Sequence, residues 1–271
     1  MTLLPPDRRG QPIFNVPAVV LGLIVGMALI HAGRQWLSEE ADFRLLADYA
    51  FIPARLTLQF DPARIAGLLK TLAGTGTSGL EEAQAWQFLL GRGELKPWTI
   101  LTYSALHADI THLGLNCFWL LAFGSATARR FGGVRFALFF SVTAIAGALA
   151  HWIAHPAGFV PVIGASAAVS GAMAASARFA FQPGGHLQEL GRGRGESPFQ
   201  LAALPLRRVF TDRRVLPFLA IWFVINLVTG IGAVPLGLSE SGIAWEAHIG
   251  GFVAGLLLFD LFDPFGNRRV E

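Results

Sequence analysis

Long apolar runs separated by polar segments dominate the pattern of this chain. The apolar runs cover about Val16–Ala32, His112–Ala128, Val134–Ala154, Gly164–Phe181, Val215–Val234 and Trp245–Phe262. An α-helix needs about 20 mainly apolar residues, with a range of roughly 17–25, to cross the hydrocarbon of a bilayer. The pattern therefore predicts an all-α polytopic membrane protein with six transmembrane helices, arranged as a single membrane domain over residues 1–271. The sixth run is the weakest, because Glu246 and Asp260 leave only 13 uncharged residues between them.

The polar segments predict three larger connections. Residues 1–15 form a polar lead, residues 34–97 a long first loop, and residues 182–214 a loop rich in glycine and arginine. In the first loop, amphipathic stretches such as Ile65–Leu72 predict short helices at the membrane surface. The glycine-rich stretch Gly74–Gly79 predicts a flexible break.

The composition supports a membrane protein and excludes an ordinary soluble domain. The 271 residues are 53% hydrophobic and 14% charged, and the mean hydropathy is +0.52, whereas soluble domains carry roughly 25% charged residues. The single cysteine, Cys117, excludes an internal disulfide. The first apolar run lacks a convincing small-residue cleavage site, so we expect it to be retained as the first span.

The positive charges are concentrated in alternate loops. Outside the long first loop, they are Arg8 and Arg9, Arg129, Arg130 and Arg135, then Arg178, Arg192, Arg194, Arg207, Arg208, Arg213 and Arg214, and finally Arg268 and Arg269. The long first loop also holds seven Lys and Arg residues, but long segments are poor topology signals. The loops at 155–163 and 235–244 contain no Lys or Arg. Because Lys and Arg are enriched in short cytoplasmic loops, both termini are predicted to be cytoplasmic and the long first loop extracytoplasmic. This distribution favours a role in topology over nucleic-acid binding.

Three polar groups are predicted to lie at a similar depth. In this topology the second, fourth and sixth spans all run inward, with His112, Ser166 and His248 near their outer starts. Polar and ionisable residues in spans are costly and therefore mark candidate functional sites. Ser166 can act as a nucleophile if a base takes its proton, and His248 titrates in a suitable range.

Small residues offer a way to bring the serine and histidine helices together. Gly251 and Gly255 form a Gly-x-x-x-Gly face on the sixth span, and the fourth span has the same spacing in Gly164/Ala168 and Gly171/Ala175. Such faces allow helix backbones to approach closely in membranes. Close packing alone explains the glycines equally well.

His112 and Asn116 are four residues apart, so their side chains share one face of the second span. Together with the backbone N–H of Ser166, which lies at a helix start and lacks an intrahelical acceptor, they can form an oxyanion hole. A structural interhelical hydrogen bond is an equally good interpretation of Asn116.

These residues resemble the motifs of the rhomboid family of intramembrane serine proteases. The matching segments are His107–Asn116 (HADITHLGLN), Gly164–Ser166 (GAS) with Gly171 five residues on, and Ala247–Gly251 (AHIGG) with Gly255. They occur in the family's order over about residues 98–262. The resemblance implies that Ser166 is the nucleophile and His248 the base, without an acidic third member, and that His112 and Asn116 stabilise the oxyanion.

The resemblance also implies the substrates and location. We expect cleavage of single-span membrane proteins in or near their transmembrane segments, with a substrate helix unwinding beside the second and fifth spans. We expect no metal or nucleotide cofactor and no nucleic-acid partner. The compact six-span plan favours the inner membrane of a bacterium.

Two departures from the family pattern concern residues beside the motifs. Ala167 follows the serine where glycine is usual, and Thr99 follows Trp98 where the family has an arginine. The first adds one methyl group to a helix and should be tolerated. The missing arginine at position 99 puts in doubt the family's usual anchoring of the first loop and does not affect the chemistry.

Other assignments are weaker. Ser170 lies a turn deeper than Ser166, and its flanking residues Val169 and Gly171 do not fit the family's Gly-x-Ser pattern. His151 and His155 have the i, i+4 spacing of a zinc protease, but Trp152 stands where the general-base Glu is required, and Pro156 ends the helix; we expect both to be interfacial residues. A transporter is the main alternative of another class, although the chain lacks the internal repeats typical of such folds. A catalytically inactive rhomboid-like binding protein is a second alternative.

Overall fold

The computed structural model describes residues 16–91, 93–185, 199–232 and 243–266. Their regular secondary structure is helical, and one isolated bridge joins Phe51 and Val162. The helices are α1 Ala18–Arg34, α2 Glu39–Tyr49, α3 Pro53–Thr57, α4 Pro62–Ala73, α5 Thr77–Leu90, α6 Thr99–Thr102, α7 Ile110–Trp119, α8 Ser125–Phe131, α9 Gly133–Ala154, α10 Ser166–Ala177, α11 Leu206–Val209, α12 Leu216–Gly232 and α13 Trp245–Phe262. The lead at 1–15, the central part of the glycine- and arginine-rich loop (186–198) and most of the loop at 235–244 lie outside the described residues.

Each predicted span corresponds to helix. The second span is a continuous helical stretch in which a π turn, Leu120–Gly124, joins α7 to α8. The fourth is shorter than predicted, because α10 ends at Ala177 and the chain turns through the following residues. By length and composition, α9 and α13 are able to cross a membrane, and α1 and α12 are shorter apolar helices. The number of spans and their orientation stay predictions.

Helix α10 lies at the centre of the bundle. All of its residues from Ala167 to Ala177 are buried, and its small side chains leave room for two neighbouring helices. A β-carbon at Gly251 on α13 would clash with the backbone of Ala167, and one at Gly255 would lie 2.7 Å from the Cα of Gly171. The predicted close-packing face on the sixth span is therefore confirmed. Its partners on α10 are Ala167 and Gly171 rather than the pairs expected from spacing, because the helix rotation selects the facing residues.

The acidic residues near the end of α13 are paired with buried arginines. Asp263 makes a bidentate ion pair with Arg130, with Nε–Oδ1 and Nη2–Oδ2 distances of 2.9 and 2.8 Å, and neither side chain is more than 1% exposed. Asp260 accepts a hydrogen bond of 3.0 Å from Arg178. Paired charges are far less costly to bury than isolated ones. The pair with Arg178 lowers the cost of Asp260 within the weakest apolar run.

The long first loop is folded into helices with a small core of their own. The buried members of this core are Ala47, Ile52, Ala54, Ile65, Leu89 and Leu90. The amphipathic stretch Ile65–Leu72 lies within α4 as predicted. The predicted flexible break is shorter than expected, because Gly79 is inside α5, where a β-carbon would clash with the backbone of Leu72. This glycine therefore permits the close crossing of α4 and α5.

The folded first loop packs onto the segment that precedes α10. Phe51 and Val162 form an antiparallel bridge, with N–O distances of 3.1 and 2.8 Å. The N–H of Ala54 donates to the carbonyl of Gly158 at 2.8 Å. The first loop, the end of α9 and the start of α10 are thus at the same end of the bundle, as the predicted chain path requires.

Candidate active site

A tight turn precedes Ser166, which is the first residue of α10. Gly164 has a φ of +120°, which side chains other than glycine rarely adopt, and its N–H donates to the carbonyl of Tyr103 at 3.0 Å. The N–H of Ala165 points to Nε2 of the buried His107 at 3.5 Å. Ser166 is the first helical residue and is partly exposed. Its N–H belongs to the first helical turn, which lacks intrahelical acceptors.

Gly164 also marks the point where His112 and Ser166 meet. A β-carbon at Gly164 would lie 2.7 Å from Nε2 of His112 and 3.7 Å from Oγ of Ser166. The absence of a side chain at Gly164 therefore allows the His112 imidazole to pack against the turn that leads to Ser166. Both polar atoms lie close to this glycine.

His248 reaches the same end of the bundle through close contacts of α13 with α9 and α10. A β-carbon at Gly147 on α9 would clash with the methyl group of Ala167 and lie 2.7 Å from the carbonyl oxygen of Ala247. Ala167 follows Ser166, and Ala247 precedes His248. Ala167 and Ala247, the neighbours of the predicted nucleophile and base, thus both pack against Gly147.

A hydrogen bond from α12 holds the His248 ring. Nδ1 of His248 lies 2.7 Å from Oδ1 of Asn226, and Nδ2 of Asn226 donates to the carbonyl of Trp222 at 2.8 Å. Because that second bond identifies the amide nitrogen, the oxygen is the group that faces His248. The imidazole must then donate from Nδ1, which leaves the lone pair of a neutral ring on Nε2.

His112 is oriented by the start of α7. Asp109 caps this helix, its Oδ1 accepting the N–H of His112 at 2.8 Å, and this hydrogen bond lowers the pKa of the Asp109 carboxyl. The ring of His107 packs edge-on against that of His112, with centroids 5.1 Å apart. Asn116 is buried, and its Nδ2 donates to the carbonyl of His112 at 2.9 Å. This bond is within one helix, so it differs from the interhelical bond considered above, and it leaves the second amide hydrogen of Asn116 available.

The structure shows how Ala167, which stands where the family usually has glycine, fits into the bundle. The Ala167 methyl group lies against Gly147, where a side chain would clash with it. The extra carbon after the serine is thus accommodated by a glycine on the neighbouring helix. Ser170, the rival serine, is only 4% exposed, whereas Ser166 is partly open.

The anchoring of the first loop is provided without an arginine at position 99. Trp98 Nε1 donates to the carbonyl of Asp48 at 2.8 Å, and Lys96 pairs with the Asp48 carboxylate. The buried guanidinium of Arg55 donates to the carbonyl of Ala47 at 2.7 Å. Thr99 itself is buried. Other side chains therefore hold the end of α2 to this segment.

Two functional contacts were missed by sequence reasoning. Asn226 is a polar residue inside an apolar run, which is a usable signal for a functional position. Glu246 was treated only as a cost to the sixth span, yet it contacts both His151 and His155, at 3.2 and 2.9 Å. The spacing of the two histidines indicated a shared face, but no sequence pattern connected them to a carboxylate 91 residues away.

Comparisons with known proteins identify relatives of this chain. A family model described as the Rhomboid domain matches residues 94–262, which is more than half of the chain. The chain is 29% identical over 167 residues, 62% of its length, to the rhomboid protease GluP of Bacillus subtilis (strain 168), of which the match covers 26%. It is 25% identical over 161 residues, 59% of its length, to RHOMBOID-like protein 4 of Arabidopsis thaliana, of which the match covers 33%. The chain therefore matches only about a quarter to a third of each relative.

Proposed function

This chain belongs to the rhomboid family and is an integral membrane protein, and from that premise we propose that it is an intramembrane serine endopeptidase. It hydrolyses peptide bonds in or near the transmembrane segments of membrane proteins, with Ser166 as nucleophile and His248 as base. The observation that supports this most strongly is the orientation of His248. Its Nδ1 bonds to Asn226 at 2.7 Å, so the lone pair of the neutral ring is on Nε2. That nitrogen can then accept the proton of the serine hydroxyl.

In the proposed reaction His248 Nε2 takes the hydroxyl proton of Ser166 as Oγ attacks the scissile carbonyl. The tetrahedral intermediate collapses when His248 gives that proton to the leaving amine, which leaves an acyl ester on Ser166. A water molecule then attacks the ester, His248 takes its proton and returns it to Oγ, and the carboxylate product leaves. The amide of Asn226 keeps the ring in the required tautomer without adding a charge.

The proposed oxyanion site lies between His112 and the start of α10. Its donors are His112 Nε2 and the N–H of Ser166, and the second amide hydrogen of Asn116 is a third. Donors placed where negative charge develops each contribute roughly 10²–10³ in rate. His112 donates from Nε2 when its Nδ1 is the acceptor, in agreement with the N–H of Ala108 at 3.4 Å from Nδ1.

The proposed substrates are single-span membrane proteins that approach between α7 and α12. Both helices expose apolar side chains to the surroundings, namely Leu115 and Phe118 on α7 and Ile221, Phe223 and Val224 on α12. The site lies at the end of the bundle that carries the first loop, which we place outside the cytoplasm. The bacterial inner membrane is the proposed location.

The test is covalent labelling of the detergent-solubilised protein with a fluorophosphonate probe, combined with cleavage of a single-span reporter protein. We expect labelling and cleavage in the wild type and in Ser170→Ala, and loss of cleavage by at least ~10³-fold in Ser166→Ala and His248→Ala. Labelling that survives Ser166→Ala would refute the assignment of the nucleophile. An unlabelled, inactive but folded wild type would favour the inactive rhomboid-like binding protein.

A further inference from the structure

We propose that His151, His155 and Glu246 form a binding site for one transition-metal dication, with Zn²⁺ as the best match. The site is at the end of the bundle that holds the candidate active site, where the last turn of α9 meets the first turn of α13. This inference does not depend on the proposed protease activity. It reverses the sequence-based expectation that no metal is bound.

The three side chains converge from two helices. His151 lies in the last turn of α9, and His155 is the residue that caps its C-terminus. Their ring centroids are 4.9 Å apart. Nδ1 of His151 is 3.2 Å from Oε2 of Glu246, and Nε2 of His155 is 2.9 Å from Oε1 of the same carboxylate. The three potential ligand atoms all lie within 4.8 Å of one another.

These distances suit a small tetrahedral ion. Zn²⁺ binds imidazole nitrogen and carboxylate oxygen at about 2.0–2.2 Å, so neighbouring ligand atoms in a tetrahedral site are about 3.3–3.6 Å apart. The two nitrogen–oxygen distances, 3.2 and 2.9 Å, are slightly shorter than this value and run to different oxygens of Glu246. Small rotations of the three side chains are needed to bring both imidazole nitrogens and one carboxylate oxygen around a single ion.

The type of ligand is as informative as the distances. Two histidines and one glutamate form the ligand set of several zinc enzymes with three protein ligands, and nitrogen ligands select Zn²⁺ or Co²⁺ over Mg²⁺ or Ca²⁺. The linear motif of a zinc protease requires a glutamate directly after the first histidine, and this chain has Trp152 there. The fold supplies a carboxylate from α13 instead, as a ligand rather than as a general base.

The three side chains differ in exposure, so the site is enclosed on one side and open to solvent on the other. The side chains of His151 and Glu246 are 13% and 18% exposed, whereas that of His155 is 51% exposed. A partly desolvated carboxylate attracts a cation more strongly than an exposed one. The open side at His155 provides an entry path and room for a water molecule as the fourth ligand.

A metal at this point would join two helices that carry or support the candidate active site. Glu246 precedes His248 by two residues on α13, and Gly250 packs against α9, where a β-carbon would lie 2.8 Å from the carbonyl oxygen of Ala146. The metal links the end of α9 to the start of α13 and so holds the first turn of α13 in place. Its role is structural, and no step of the proposed hydrolysis passes through it.

The competing interpretation is a metal-free hydrogen-bonded cluster. Each histidine can donate one N–H to a carboxylate oxygen of Glu246, which would satisfy the same contacts without an ion. The two interpretations differ in what happens when His155 is replaced by glutamine. Glutamine still donates a hydrogen bond to Glu246 but is a poor ligand for Zn²⁺, so His155→Gln preserves the cluster and removes the metal site.

The experiment is a titration of the full chain in detergent, after chelator treatment and removal of any purification tag. Zn²⁺ binding is followed by calorimetry, and Co²⁺ binding by the visible absorption that reports tetrahedral coordination. We expect one ion per wild-type chain, a higher Tm with Zn²⁺, and no comparable binding of Mg²⁺. His155→Gln and Glu246→Gln should each weaken Zn²⁺ binding by at least about tenfold.

The matched control is Glu81→Gln, which removes an exposed carboxylate from α5 and should leave Zn²⁺ affinity unchanged. A wild-type chain that binds no stoichiometric Zn²⁺ would overturn the proposal. Equal affinity in the wild type, His155→Gln and Glu246→Gln would overturn it as well. Because the readouts are binding and absorption, an inactive protease does not affect the outcome.

Discussion

Single side chains decide the chemistry that the candidate site can perform. The amide of Asn226 is fixed by its bond to Trp222 and therefore presents its oxygen to His248. Without that acceptor, the neutral imidazole can carry its proton on either nitrogen, and only one of the two forms can accept a proton from Ser166. We therefore propose that Asn226 is a positioning residue that acts through His248.

We predict that Asn226→Ala lowers kcat roughly ten- to a hundredfold with little change in KM. The loss should be smaller than the ~10⁴-fold effect of disabling the aspartate of a Ser-His-Asp triad, because asparagine carries no charge. Cleavage of a reporter substrate measures both constants. Asn226→Asp retains the acceptor oxygen and should keep more activity than Asn226→Ala, with a shifted pH profile. An unchanged kcat in a folded Asn226→Ala protein would contradict this role.

Pairs of helices explain how residues distant in the sequence reach one site. Gly251 and Gly255 bring α13 against α10, and Gly147 admits both Ala167 and Ala247. At the other end of α13, Arg130 and Asp263 link the end of α8 to the end of α13 by a buried bidentate pair. Breaking such a pair leaves an uncompensated buried charge.

We predict that Asp263→Asn destabilises the protein by about 3–5 kcal/mol, because it leaves the Arg130 guanidinium buried without its anion. The midpoint of thermal unfolding in detergent, followed by circular dichroism, measures the loss as a lower Tm. The control is Glu40→Gln, which breaks the exposed pair with Arg44 and should cost at most ~1 kcal/mol. Similar Tm values for the two variants would contradict the importance of the buried pair.

At the scale of the whole molecule, the loops gather at defined ends of the bundle. The bridge between Phe51 and Val162 places the folded first loop beside the turn that leads to Ser166. Arg34, at the end of α1, donates to the carbonyl of His107 at 2.7 Å and pairs with Asp42, so the first helix, the first loop and the histidine segment are connected. This arrangement places the first loop, the histidine segment and the candidate site at the same end of the bundle.

We predict that this end faces away from the cytoplasm. In a Cys117→Ser background, Thr75→Cys in the first loop should react with a membrane-impermeant maleimide in intact cells. Thr211→Cys, after α11, should react only after permeabilisation, because three predicted spans separate the two positions. Gel-shift detection of the label measures this. The reverse pattern would invert the topology, and equal labelling of both positions would contradict an odd number of spans between them.

The apolar pattern of the sequence determined where the helices lie, because apolar runs of this length stabilise helices wherever they are buried in protein or lipid. It gave the bounds of α13 to the residue, placed Ser166, His112 and His248 near helix starts, and identified the glycine face on α13. It overestimated the length of the fourth span, because hydropathy alone does not encode where a helix ends. It also overestimated the flexibility around Gly79, because hydropathy does not encode the close crossing of two helices.

Contacts between helices were decided only by the tertiary structure. Successive residues point about 100° apart around a helix, so a small difference in rotation or depth changes which side chain meets which partner. The bond from Asn226 to His248, the meeting of Glu246 with His151 and His155, and the burial of Arg130 with Asp263 all depend on that rotation and depth. The sequence alone determined which residues could take part, and the packing of the helices determined which of them meet.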